Sequence, residues 1–289
     1  LKIRVTGISG YLGELVSEGL KKQGHQVSGI KRQLLYGPPE LLSKEMEGAE
    51  IIINLAGAPI LQRWTPKNKQ SIYESRVKTT QNLVQAIRML PKEKQPRKFI
   101  SASAIGIYQP GLSHDESSTD FEPGFVGQVV TDWENATKGL PSSVQKIIFR
   151  IGPVLGKKAK TITKMLLPFQ LGLGATIGNG QQPFPFIHEK DVVRVFLWAV
   201  EEYRGDGIFN LVAPQKITNA KFTKELARQL HRPAFLFIPG LFLKLIFGKA
   251  ATMLVNSPEV TPQKLISEGF SFEYPNLEAV LSDILQSNP

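Results

Sequence analysis

Gly7, Gly10 and Gly13 stand three residues apart, after the apolar run Lys2-Ile-Arg-Val-Thr6 and before an amphipathic stretch from Glu14 to Leu20. A strand that ends in such glycines and opens a helix offers free backbone N–H groups and the positive end of a helix dipole, which together bind a pyrophosphate. Gly7 permits the tight turn, Gly10 lets the backbone approach the phosphates, and Gly13 lets helix and strand pack closely. A second run, Gln26-Val-Ser-Gly-Ile30, follows at the distance of a βαβ unit. The glycines alone are compatible with plain turn chemistry; in this setting they predict dinucleotide binding.

The residues after that second run bear on which dinucleotide. NAD sites usually carry an acidic residue there for the ribose 2′-hydroxyl, whereas an arginine accommodates a 2′-phosphate. This chain has Lys31-Arg32 and no carboxylate at that point. A guanidinium pairs with phosphate in a forked geometry, so NADP is the expected cofactor. The plainer alternative is two solvated basic residues at a strand end. His188, in Pro185-Phe-Ile-His188-Glu-Lys-Asp191, is a candidate acid or base because imidazole titrates near neutrality. Equally, His188 is a structural contact to the loop and Asp191 a helix cap or a complement to the helix dipole.

Around these residues the apolar runs Ile3–Thr6, Val27–Ile30, Ile51–Asn54, Phe99–Ser103, Ile147–Ile151 and Ile208–Val212 read as strands. Helical patterns fall between most of them, at 11–23, 65–90, 126–138 and 190–203. The alternation predicts an α/β, Rossmann-like doubly wound parallel sheet with right-handed crossovers and its ligand beyond the carboxyl ends of the strands. The expected division is a cofactor domain over 1–165, to which 190–217 return, and a small, mostly helical substrate-side lobe from 166–189 and 218–289. Asn54-Leu-Ala-Gly57 puts small residues at one strand end, where a cofactor or an ordinary turn would fit. Phe235 to Phe247 is strongly apolar; it reads as a short helix buried against the main domain, with a membrane-surface helix as the alternative.

Composition narrows the classes. In 289 residues there is no cysteine, which removes disulfides, thiolate zinc sites and cysteine nucleophiles, and the four scattered histidines lack metal-ligand spacing. No apolar run reaches the ~20 residues of a membrane span, and the N-terminus reads as a strand rather than a secretory leader. A cytoplasmic protein with no membrane partner is expected. Of the net charge of +10, residues 51–100 supply most, with ten Lys or Arg against two Glu. These are spread along helices without a recognition motif, so nucleic acid is not an expected partner.

Taken together, Gly7-x-x-Gly10-x-x-Gly13, Asn54-Leu-Ala-Gly57, Ser101-Ala-Ser103 and Phe149-Arg-Ile-Gly152 resemble the extended short-chain dehydrogenase/reductase superfamily. Arg63-Trp-Thr, Glu74-Ser-Arg76, Ser103-Ala-Ile-Gly-Ile-Tyr108, Trp133-Glu134, Phe186-Ile-His188, Asn210-Leu-Val-Ala-Pro214 and the tail Glu268-Gly-Phe-Ser-Phe-Glu-Tyr274 resemble one branch, the "epimerase family" of nucleotide-sugar epimerase-like proteins. The resemblance covers essentially the whole chain. It implies that Gly7, Ser9, Gly10, Tyr11, Leu12 and Gly13 line the pyrophosphate, that Lys31 and Arg32 face the adenosine ribose, and that Leu55 and Ala56 flank the adenine side. It further implies Arg76 as a cofactor ligand, with a surface ion pair as the alternative, and Val154 near the nicotinamide. A homodimer is expected by analogy.

The catalytic pattern departs from the superfamily. Extended members carry Tyr-x-x-x-Lys on the helix after the fourth strand, where lysine lowers the tyrosine pKa for proton exchange with a substrate hydroxyl. Alignment on Trp133-Glu134 puts Phe125 and Val129 at those positions, and neither transfers a proton. The remaining catalytic candidates are Ser103, with Ser101 second, Tyr108, and His188. Tyr108 is otherwise an aromatic packing at the strand end. The leading expectation is an NADP-dependent oxidoreductase or epimerase-like enzyme for a small anionic or sugar-derived substrate. A catalytically impaired NADP-binding sensor or regulator is the alternative, and a scaffold stabilised by nucleotide the third reading.

Overall fold

The computed structural model describes residues 1–286. Its centre is a six-stranded parallel sheet of β1 (Lys2–Thr6), β2 (Gln26–Ile30), β3 (Ile51–Asn54), β4 (Lys98–Ala104), β5 (Gln145–Ile151) and β6 (Gly207–Leu211). The spatial order is 2-1-3-4-5-6. Helices cover both faces, so β3 is buried along its whole length, as its uninterrupted isoleucines require. The order in which strands are added reverses between β1 and β3, which makes the carboxyl ends of these two strands the switch point of the sheet. After β2 the chain adds no strand beyond it but crosses back past β1. A 3-10 turn, Arg32–Tyr36, and helix α2 (Pro39–Met46) return it towards β3.

Parallel register lines up polar residues at the carboxyl rim. Thr6 lies beside Asn54 and Asn54 beside Ser101; Ser103 lies beside Arg150 and Arg150 beside Asn210. Register partners in adjacent parallel strands point to the same side of the sheet, so these residues form a row on one face. Helix α1 (Tyr11–Lys22) follows the glycine turn and buries Val16 and Leu20 in the main core with Ile3 and Val5.

The pattern at 65–90 resolves into two helices, α3 (Pro66–Glu74) and α4 (Val77–Met89). Ser75 separates them: its hydroxyl donates to the Ile72 carbonyl and accepts from the Ala58 amide, which docks the loop after β3 onto the break. Helix α5 (Phe125–Asn135) follows β4, and α7 (Glu189–Glu201) precedes β6. Leu155, Ile162, Phe186, Phe222, Val280 and Leu281 belong to a second core, from α6 (Lys160–Gln170), α8 (Asn219–Gln229), the last helix Leu277–Gln286 and the loops between them. Short parallel pairings stitch the later segments inward, among them Val154–Leu155 with Ile187–His188 and Glu259–Val260 with Ser113–His114. The segment Phe235 to Phe247 is not buried against the main domain. It forms a short strand, Leu236–Ile238, and helix α9 (Gly240–Phe247), in which only Leu243 is buried.

Candidate functional site

The glycine turn occupies the switch point. Gly7 has φ +67° and lies so close to the chain after β3 that a Cβ on it would meet the Leu55 carbonyl carbon at 2.9 Å. Gly13 is packed against the Gly7 carbonyl, leaving no room for a side chain. The Gly10 amide donates to the Gly7 carbonyl at 2.9 Å, and no side chain caps the N-terminus of α1. The first-turn N–H groups therefore keep their capacity for an outside acceptor. Ser9 and Gly10 are exposed; Leu12 packs against the core. The Tyr11 hydroxyl instead donates across to Glu189 on α7, over Gly156. Burial, then that carboxylate, pushes the phenol well above its usual range.

Behind the turn, Thr6 donates to the Asn54 side chain at 2.7 Å and accepts from the amides of Leu55 and Ala56. Asn54 in turn donates to Thr80 and Ser101. Ser101 thus belongs to the support of the β3 loop. That network sets the path of Leu55, Ala56 and Gly57, and under Gly57 lies Arg76. A Cβ on Gly57 would be 3.2 Å from the guanidinium carbon. The guanidinium sits over the Trp133 ring at 5.4 Å and donates to the Ile72 carbonyl at 3.2 Å. It forms no ion pair among the described residues, and burial brings its pKa down to about 10. Lys31 and Arg32 are exposed beyond β2, at the start of the 3-10 turn. The donor set fits an elongated polyphosphate dinucleotide: an uncapped helix end, a cradle that only glycine can form, and an uncompensated cation beside it.

A second network runs along the other half of the rim. Ser103 donates to Glu134 Oε1 at 2.6 Å, and Glu134 accepts from Arg150 Nε and a terminal nitrogen, both at 2.8 Å. Arg150 also donates to the Tyr108 hydroxyl at 2.8 Å, and Tyr108 donates to Asn210 at 2.8 Å. Burial alone would lower the Arg150 pKa, but the Glu134 and Tyr108 oxygens outweigh it and hold the guanidinium charged. Tyr108 is fully buried, and burial raises its pKa.

An epimerase/dehydratase model spans most of this fold: the NAD dependent epimerase/dehydratase family model matches residues 3–212, and a domain of unknown function (DUF1731) matches 238–284. The chain belongs to the NAD dependent epimerase/dehydratase family. The epimerase family protein SDR39U1 of Mus musculus is 34% identical over 296 residues, covering 99% of this chain and 100% of the relative. The epimerase family protein YfhF of Bacillus subtilis is 32% identical over 301 residues, covering 99% and 98%. Among solved structures, human SDR39U1 (isoform 2) with NADPH superposes with a TM-score of 0.92 at 32% identity, covering 100% of each chain. A nucleoside-diphosphate sugar epimerase from Corynebacterium glutamicum has a TM-score of 0.78 at 25% identity, covering 99% of this chain and 58% of that one.

As an epimerase/dehydratase-family chain, it places Phe125 at the first turn of α5, edge-on to Trp64, and Val129 one turn later in the core. His188 lies away from the rim networks. Its Nδ1 accepts from the Lys190 amide at 3.3 Å, its Nε2 is 3.4 Å from Asp283, and its ring lies on Tyr274. Burial lowers its pKa. Asp191 does not cap α7; its two oxygens accept the Glu273 and Tyr274 amides at 2.9 Å each and hold the tail. Val154 is half-buried in the short pairing with Ile187. Sequence reasoning missed the roles of Glu134, Arg150, Asn210 and Glu189. A charged residue inside the apolar run Ile147-Ile-Phe-Arg-Ile151 was the available signal, because such a charge must find a buried partner. No helix among the described residues is long and apolar enough to cross a membrane.

Proposed function

We propose that this chain binds NADP(H) at the β1–β3 switch point and serves a hydride transfer on a small anionic or sugar-derived substrate without the usual tyrosine–lysine pair. The observation that carries the reading is Arg76, a half-buried guanidinium beneath Gly57 in the loop after β3, with no carboxylate bonded to it among the described residues. Such a cation is unfavourable until an anion joins it, and a phosphate oxygen supplies a charge-assisted hydrogen bond. Lys31 and Arg32 add a second basic point where a 2′-phosphate would lie. The NADPH in the human relative's structure supports the same choice.

When bound, nicotinamide supplies the hydride chemistry. The chain's part is to orient it through Gly7, Ser9, Gly10, Tyr11, Leu12, Gly13, Leu55, Ala56 and Val154, and to offer a proton route. Residues 166–189 and 218–289 form the substrate-side lobe in this reading, supported by their separate core. Ser103 would accept a hydrogen bond from a substrate hydroxyl, since its own proton is engaged by Glu134. A second reading, an NADP-binding sensor with impaired turnover, is favoured by the burial of Tyr108 and His188 and by the apolar Phe125 and Val129.

Thermal shift with NADPH and NADH tests binding, because a ligand of the folded state must raise the melting temperature. No shift with either would remove both readings. Absorbance at 340 nm with a panel of carbonyl compounds and nucleotide sugars separates them: turnover supports the enzyme, and binding without turnover supports the sensor.

A further inference from the structure

One face of the molecule concentrates the apolar surface that folding leaves in water. Parallel pairing of Ala175–Ile177 with Leu236–Ile238, and contact of Gly172 with Pro233, bring the end of α6 beside the strand that leads into α9. Phe235, Phe237, Leu241, Leu245 and Leu171 there are each at least 65% exposed. Arg63, from the loop after β3, donates to the carbonyls of Leu245 and Ile246 and fixes the far end of α9, so the helix is held outward. The stretches 164–187 and 233–258, which reach this face, contain three lysines and no Asp or Glu. Lys244 and Lys249 also line a cavity of about 550 Å³ between α9 and the Gly178–Gln182 turn.

We propose that this face docks on an anionic bilayer surface, lying in the interface without spanning it. An exposed cluster of Phe and Leu gains free energy by leaving water for the headgroup–acyl boundary. Lys164, Lys244 and Lys249, all exposed, add attraction to anionic lipids, about 1 kcal/mol each near the surface. That charge pattern chooses a bilayer over a second copy of the chain, which would bring three more lysines to the same contact. The site is independent of the cofactor reading, since it needs neither the glycine turn nor Arg76.

Flotation with vesicles of phosphatidylcholine alone, and with phosphatidylglycerol added, tests it at low salt. The protein is expected to float with anionic vesicles and much less with neutral ones. Leu241→Ser/Phe242→Ser should abolish flotation, and each of Lys244→Gln and Lys249→Gln should weaken it about fivefold, by conversion of that lysine contribution. All four side chains being exposed, unchanged melting temperatures certify the variants. Absence of flotation by folded wild type overturns the proposal. So does flotation insensitive to the serine variant, or a dimer in sedimentation analysis that the serine variant dissociates.

Discussion

Glu134 and Arg150 form a two-pronged ion pair, 2.8 Å at each contact, with side-chain exposures of 11% and 4%. The pair spans from α5 to β5 and ties Ser103 on one side to Tyr108 and Asn210 on the other. Its position at the carboxyl rim makes one element of packing responsible for the geometry of the Ser103 hydroxyl. Glu134→Leu should therefore cost about 3–5 kcal/mol, because a buried guanidinium loses its counter-charge. Combining it with Arg150→Met should restore at least half of that loss. Urea unfolding of the single and double variants checks this, and equal losses in both would refute it.

Arg76 makes the opposite prediction. With no internal ion pair to lose, Arg76→Ala should leave the melting temperature of the ligand-free protein nearly unchanged while weakening NADPH about ten- to a hundredfold, the range of one or two charge-assisted hydrogen bonds. Fluorescence titration of NADPH measures it. An unchanged dissociation constant would remove Arg76 from the cofactor site.

Arg32→Glu should weaken NADPH far more than NADH, because only the former carries the 2′-phosphate that a carboxylate repels. Parallel titrations decide, and equal losses for the two cofactors would sink the 2′-phosphate assignment.

Gly7→Ala should destabilise the fold by at least about 1–2 kcal/mol, the cost of a left-handed conformation with a Cβ, with further strain from the Leu55 backbone. Thermal unfolding without ligand reads this, and a neutral result would mean that the β3 loop gives way.

His188 sets a pH dependence. Burial lowers its folded-state pKa below the ordinary 6.5, despite the opposing influence of Asp283, so the unfolded chain binds the proton first. Stability is fully present above pH 6.5 and is lost as pH falls, with a slope approaching ~1.4 kcal/mol per pH unit until the folded-state pKa is reached. Melting temperatures of wild type and His188→Gln between pH 5 and 7.5 isolate the contribution; parallel curves would disprove it.

Much of the fold was legible because its signals are local. The six apolar runs became the six sheet strands within a residue or two, since the central strands are covered on both faces and the outer ones still bury alternate residues. The turn at Gly7 and Gly13 was legible because only glycine tolerates its φ and its contact distance. The break at Ser75–Arg76 was not, because both sides of it have good helical pattern and the contact made there, the Ala58 amide on the Ser75 hydroxyl, belongs to a loop outside the helical stretch. Asp191 lies in the first turn of α7, where an acidic residue complements the helix dipole, but its bonds from the Glu273 and Tyr274 amides were not legible because those residues are more than eighty positions away.

The sequence by itself determined a parallel α/β sheet, a glycine turn at a helix start and basic residues after β2, all consequences of short-range sterics and periodic burial. Tertiary structure alone decided that Arg76 lies beneath Gly57 without a carboxylate. It also decided that Ser103, Glu134, Arg150, Tyr108 and Asn210 form one buried chain, and that the apolar stretch around α9 faces outward. These depend on strand register and on which surfaces the tail covers, and neither is written in the spacing of neighbouring residues.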